Sequence, residues 1–426
     1  MLIENGYMID PKSGNEGNYD IFTEKDKIVK IGKNLRRALS EEALRGCDVI
    51  DASGLLAAPG LVDVHVHFRE PGFTDKEDID TGAKAAAKGG FTSVVMMANT
   101  NPAIDNRETL RQVLERGRGT GIRVYSCVNV TMGMKGEKIT PMEELAKEGA
   151  VGFTDDGIPI MEAGVLKEAM ERAAMLDMPI SLHEEDPKLI ENNGINKGAA
   201  SEYFGVGGTS REAEIVMIRR DLELALQTGA CLNIQHISTA EGVELVRQAK
   251  KKGHNIHAEA TPHHFTLTEE ALIRCGSAAK MNPPLRTGKD REEIICGLKD
   301  GTIDIIATDH APHTEAEKAQ PITVAPSGLI GLETSLALGI TGLVNGGYLT
   351  MKELLTKMSA NPAAMYHLDA GYLAEGGPAD IVLIDPAAGW EAGDYVSKAS
   401  NSPFTGWFLK GLAVRTICGG KTVYQR

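Results

Sequence analysis

The chain has 426 residues, 42% of them hydrophobic, and a formal net charge of −14. That length suits one large barrel with a lesser domain better than a single small core. The acidic balance disfavours nucleic acid, whose phosphates need a basic surface, and no apolar run approaches the roughly 20 residues of a membrane span.

In chain order, the N-terminal stretch carries short strand-like segments at 1–3, 19–22, 27–31 and 48–51, with turn residues between them. It lacks the basic and apolar regions of a signal peptide, so a cytoplasmic location is expected. From Pro59 onward, eight short apolar runs read as strands: 61–67, 92–98, 122–130, 150–153, 180–183, 231–236, 255–260 and 304–307. Helix-like runs lie between most of them, for example 75–88, 107–116, 161–175, 210–228 and 239–252. Strand–helix alternation repeated in this way predicts a (β/α)8 barrel of the TIM type. An open doubly wound sheet is the competing fold, but no strand is followed by a GxGxxG or GxxxxGK phosphate loop. Near the C-terminus, 377–385 is another strand bounded by turns, and 413–417 with 421–424 form a hairpin around Gly419-Gly420. Both ends are therefore expected to build one small β-sandwich-like domain from residues 1–56 and 369–426, flanking a barrel over 57–368. The six cysteines (Cys47, Cys127, Cys231, Cys275, Cys296, Cys418) are scattered without a CxxC pair. They read as reduced structural thiols.

Chemistry gathers at the predicted strand ends. The first strand reads Leu61-Val62-Asp63-Val64-His65-Val66-His67. Residues two apart on a strand share a face, so His65 and His67 aim two imidazoles at one point. A divalent metal satisfies such a pair. Arg69 stands just past the end of this same strand, and later strand ends add Asn99, Asp155-Asp156, His183, His236, Asp309 and His313. In a (β/α)8 barrel these ends form the active-site face. A single histidine there is ordinary; four histidines with two carboxylates are hard to explain as packing. They could fill two metal sites if one carboxylate bridges. Nitrogen and oxygen donors without cysteine suit zinc, with manganese or cobalt as alternatives. Asp63 lies deeper and suits a buried hydrogen-bonding role. His263 and His264 are expected to make structural hydrogen bonds. His254, His257, His310 and His367 are left outside the shell. Glu184-Glu185-Asp186 reads as a solvated helix start.

Four segments make the chain recognisable: PGLVDVHVHFR at 59–69, VGFTDDG at 151–157, MNPPLR at 281–286 and TDHAPHT at 308–314. Together they resemble bacterial class I dihydroorotase of the amidohydrolase superfamily, over essentially the whole chain. The first segment alone is shared across the superfamily; the other three are far more specific. The resemblance implies reversible cyclisation of N-carbamoyl-L-aspartate to L-dihydroorotate in pyrimidine biosynthesis, by a metal-bridging hydroxide with Asp309 as general acid/base. It implies two Zn2+ per subunit: His65 and His67 with Asp309 on one, His183 and His236 on the other, and Asp156 bridging, with Asp155 its adjacent competitor. Arg69, Asn99 and His313 would hold the substrate carboxylate, and Asn282 would contact the pyrimidine ring. His67 would also border the substrate, with the backbone of Ser327 and Gly328. Related hydantoinases and allantoinases bridge their metals with a carboxylated lysine where this chain has Asp155-Asp156, which separates it from those cyclic amidohydrolases. Pro326-Ser327-Gly328 departs from the family's usual Pro-Phe-Gly and removes aromatic cover over the substrate. The segment 313–326 reads as a lid or as a plain surface loop. The resemblance also admits a homodimer, an association with aspartate carbamoyltransferase, and an inactive scaffold for that enzyme. The scaffold reading is opposed by the presence of every expected ligand.

Overall fold

The computed structural model describes residues 1–253 and 255–426; the expectation for His254 therefore lies outside the described residues. Five strands precede the barrel: β1 (Leu2–Ile9), β2 (Glu16–Glu24), β3 (Lys27–Gly32), β4 (Val49–Asp51) and β5 (Leu56–Pro59). The barrel strands are β6 (Leu61–Val66), β7 (Phe91–Met96), β8 (Arg123–Val128), β9 (Gly152–Phe153), β10 (Ile180–Leu182), β11 (Leu232–Ile234), β12 (Ile256–Ala260) and β13 (Ile305–Ile306). Three more follow: β14 (Ile381–Glu391), β15 (Phe408–Cys418) and β16 (Lys421–Gln425).

β6 to β13 pair in sequence order, each parallel to the next. Closure comes from a parallel bridge between Val66 and His310, with His67 N–H donating to His310 O at 2.9 Å. This is the nearly closed TIM-type barrel expected from the alternation. Local chemistry sets the connecting helices. Asp78 caps Ile79–Lys88 with Thr81 in a capping box, and Ser210 caps Arg211–Thr228, which ends on left-handed Gly229. Within the barrel, Val62, Val64, Val95, Met97, Ile305 and Ala307 pack together with Ala363, Met365 and Tyr366, which plug the end away from the site. Several strands stop earlier than the apolar runs suggest. β11 ends at Ile234, two residues before His236, whose φ is 33°. Asp309, past β13, has φ 46°. Both side chains thus stand on backbone that has already left the ladder.

Both termini build the second sheet, in the order β16-β15-β14-β5-β1-β2-β3, with β4 added on β1. β5 joins the halves: it runs parallel to β1 and antiparallel to β14. Its core holds Ile3, Met8, Ile21, Ile28, Ile50, Ile381, Leu383 and Ile417. The β15–β16 hairpin turns on Gly419 and Gly420, both at positive φ, and a Cβ on Gly420 would collide with Lys25 O. Arg123 and Asp380 tie this sheet to the barrel through an ion pair at 2.6 Å. No helix of the described residues is long and apolar enough to cross a membrane.

Candidate metal centre and substrate cleft

His65, His67, Asp156, His183, His236 and Asp309 converge at the C-terminal end of the barrel, all buried. The Asp156 carboxylate is the focus. It lies 3.5 Å from His65 Nε2, 3.4 Å from His67 Nε2, 4.0 Å from His183 Nδ1 and 3.7 Å from His236 Nε2. Two sets of donors result, His65/His67/Asp156 and Asp156/His183/His236. Asp309 Oδ1 adds to the first, 3.0 Å from His67 Nε2 and 3.5 Å from His65 Nε2.

Asp155 faces elsewhere. Its carboxylate accepts from Val130 N–H at 2.9 Å and from the N–H and hydroxyl of Thr131. Burial pushes its carboxyl up to about 6. It anchors the loop after β8, whereas Asp156 meets the histidines.

The donor set fits metal ions. His65 Nε2 and Asp156 Oδ1 are buried without a hydrogen-bond partner, and both face the centre. The far sides of the first two imidazoles are fixed: Glu259 Oε1 takes His65 Nδ1 at 2.5 Å, and Asn99 Oδ1 takes His67 Nδ1 at 2.9 Å. Such partners set the tautomer that leaves Nε2 free to ligate. Burial disfavours a charged imidazole at His65, yet Glu259 and Asp156 outweigh it and raise its proton affinity well above the ordinary value. A divalent cation supplies the same positive charge to these carboxylates.

Above the centre lies a cleft of about 170 Å³, lined by His67, Arg69, Asn99, Asn282, Asp309, His313, Ser327 and Gly328, among others. That is below the roughly 300–1,000 Å³ of drug-sized pockets, so a small substrate fits it. No lysine lines it among the described residues. Arg69 stands at φ 61°, with Nε donating to Pro312 O at 3.2 Å. His313 donates Nε2–H to Ser327 O at 2.8 Å and sits 3.3 Å from Arg69 Nη2. Burial and then Arg69 pull His313 down to about 3, so it is neutral. Asn282 Oδ1 is buried and unpartnered. The 313–326 segment carries a short helix, Glu315–Lys318, capped by Thr314.

Other expectations divide. Asp63 accepts from the N–H groups of His65 and Thr308, a buried structural role as anticipated. His310 turns away, toward Gly331 N–H and Glu77. His264 bonds Thr261 and Pro283 O, but both ring nitrogens of His263 are unpartnered. The solvated helix start is wrong for Glu184 and Glu185, which are 1% and 2% exposed. Glu185 Oε2 holds His183 Nε2 at 3.1 Å. Glu259 was not singled out; its one signal was a lone acid between alanines in an otherwise apolar strand end.

The comparisons agree with this geometry. A family model described as dihydro-orotase-like matches residues 54–242. The chain is 53% identical to a dihydroorotase of Clostridioides difficile, over 100% of both chains. It is 51% identical to one of Lactococcus lactis, over 100% of this chain and 99% of that one. The chain belongs to the dihydroorotase family. Among solved structures, the L-hydantoinase (dihydropyrimidinase) of Arthrobacter aurescens superposes with a TM-score of 0.88 at 24% identity, covering 100% of this chain and 96% of the other. That likeness is one of fold, a barrel with a flanking sheet from both termini. Membership of the family makes the chain a metal-dependent cyclic amidohydrolase.

Proposed function

We propose that this chain interconverts N-carbamoyl-L-aspartate and L-dihydroorotate with two zinc ions held by His65, His67, Asp156, His183, His236 and Asp309. The observation that carries the reading is Asp156, set among four imidazoles below a small cleft that presents Arg69 and no lysine. Bound there, divalent metals supply a water of lowered pKa and a Lewis acid for the ring carbonyl. Asp309 handles the proton. Its carboxylate, 3.0 Å from His67 Nε2, borders both the centre and the cleft, where it can take up and release a proton. In ring opening it accepts the proton of the attacking water and delivers it to the departing nitrogen; in ring closure it runs the reverse path. Arg69 takes the substrate carboxylate with its planar fork. Asn99 bonds both His67 and Asp156 and borders the same pocket. Asn282 Oδ1 offers an unused acceptor to a ring N–H. His313, with its proton spent on Ser327 O, holds the loop beside Arg69.

The test compares turnover of dihydroorotate, hydantoin and allantoin, before and after chelation, with metal analysis. Dihydroorotate alone should be turned over, in step with two equivalents of zinc. Comparable hydantoin turnover, or inertness with both metals bound, would overturn the reading. Arg69→Lys should raise KM for dihydroorotate about 10–100-fold, because an ammonium cannot reproduce a two-pronged contact. An unchanged KM would remove Arg69 from the carboxylate site.

A further inference from the structure

Two lysines lie almost fully buried beside the cleft. Lys280 is 3% exposed and Lys318 is 8% exposed. Neither ammonium has a carboxylate within ion-pair distance among the described residues. The acid next to Lys318, Glu317, is taken by Lys76 at 2.7 Å. Buried unpaired charge is unfavourable unless hydrogen bonds satisfy it. Here the partners are backbone carbonyls of one stretch, residues 325–328. Lys280 Nζ donates to Ala325 O at 2.7 Å. Lys318 Nζ donates to Pro326 O and to Gly328 O, both at 2.9 Å. His313 takes Ser327 O at 2.8 Å, and Asn401 Nδ2 reaches Gly328 O at 3.0 Å.

Four consecutive carbonyls are thus each tied down. In a trans peptide the N–H points opposite to the preceding C=O. With Pro326 O drawn to Lys318, the Ser327 N–H points away from that ammonium. It makes no hydrogen bond within the described protein, although Ser327 lines the cleft. Gly328, at φ 130°, has no room for a Cβ against Ala311 and His313, so the stretch has little freedom to rearrange.

We propose that Lys318, backed by Lys280, is a positioning residue for the anionic substrate: it fixes the Pro326–Ser327 peptide so that the Ser327 N–H faces the cleft. This rests on the function proposed above. Burial lowers Lys318 to about 7, with Lys280 adding repulsion, and burial lowers Lys280 to about 8. The charged and titratable groups that face Lys318 are Lys280, Glu317 and neutral His313. A lysine with a lowered pKa loses its charge as pH rises. The peptide clamp is therefore strongest below about 7 and weakens above it.

The test is steady-state kinetics of the metal-loaded enzyme with dihydroorotate across this pH range. Lys318→Met should raise KM about tenfold or more below neutral pH, with kcat within about threefold of the parent. Lys318→Arg, always charged, should keep KM near the parent value at low pH and suppress the parent's rise in KM above about 7. An unchanged KM in Lys318→Met, or a KM–pH profile in Lys318→Arg identical to the parent's, would overturn the proposal. If Lys318→Met does not fold by circular dichroism, the Lys318→Arg profile decides alone. A parent enzyme inert toward dihydroorotate would instead sink the function on which this rests.

Discussion

Asp309→Asn should fold like the parent, keep a metal-binding site and lose turnover by about a thousandfold or more, the range expected for removing a positioned acid/base. The substitution keeps the side chain's shape. It also suits the backbone, because asparagine tolerates the left-handed φ of 46° at this position. What disappears is the proton carrier. Carbamoyl aspartate carries two carboxylates and dihydroorotate one, so ring closure consumes a proton and ring opening releases it. The parent should therefore close the ring faster toward low pH and open it faster toward high pH. Rates in both directions, with zinc content measured on the same samples, check this. Loss of turnover with both metals retained assigns Asp309 the proton. Substantial retained activity, or matching pH profiles in the two directions for the parent, would move the acid/base role to another group.

The second large effect is expected at Asp156. Asp156→Ala should leave well under two equivalents of zinc per chain and no measurable turnover, because one carboxylate lies within 4.0 Å of all four imidazoles. Changes to groups that merely orient ligands typically cost about 10–100-fold in metal affinity, so removal of a shared ligand should exceed that. Asp155→Ala is the control. It should keep the metals but destabilise the fold by about 1–3 kcal/mol, since it strands the buried N–H groups of Val130 and Thr131. Elemental analysis and thermal melts on the two variants separate the roles. Retention of both metals by Asp156→Ala, or their loss from Asp155→Ala, would reverse the assignment.

The Asp155/Asp156 pair also shows where reading the chain stops being sufficient. Adjacent residues of one type, just past a two-residue strand, carry no periodicity to say which faces the barrel axis. The turn after β9 decides it, by giving Asp155 to the loop after β8 and Asp156 to the histidines. Glu184 and Glu185 failed for a related reason. Charge after a strand usually means solvent, but here Arg220, Asp221 and His183 enclose them. Lys280 and Lys318 lie 38 positions apart in the numbering yet serve one loop. Their composition looks like surface, and only the path of residues 325–328 supplies the carbonyls that keep them buried.

By itself the sequence determined the repeating strand–helix alternation, the side-chain types at each strand end, and the two imidazoles on one face of β6. Those are local properties, set by the period-2 geometry of a strand and by donor chemistry. Only the tertiary structure decided which carboxylate sits among the imidazoles, that Glu259 and Asn99 orient His65 and His67, and that buried lysines hold the carbonyls of residues 325–328. Each of these depends on atoms brought together from strands and loops far apart in the chain, where the direction of a side chain follows from barrel closure and from positive-φ turns beyond the strand ends.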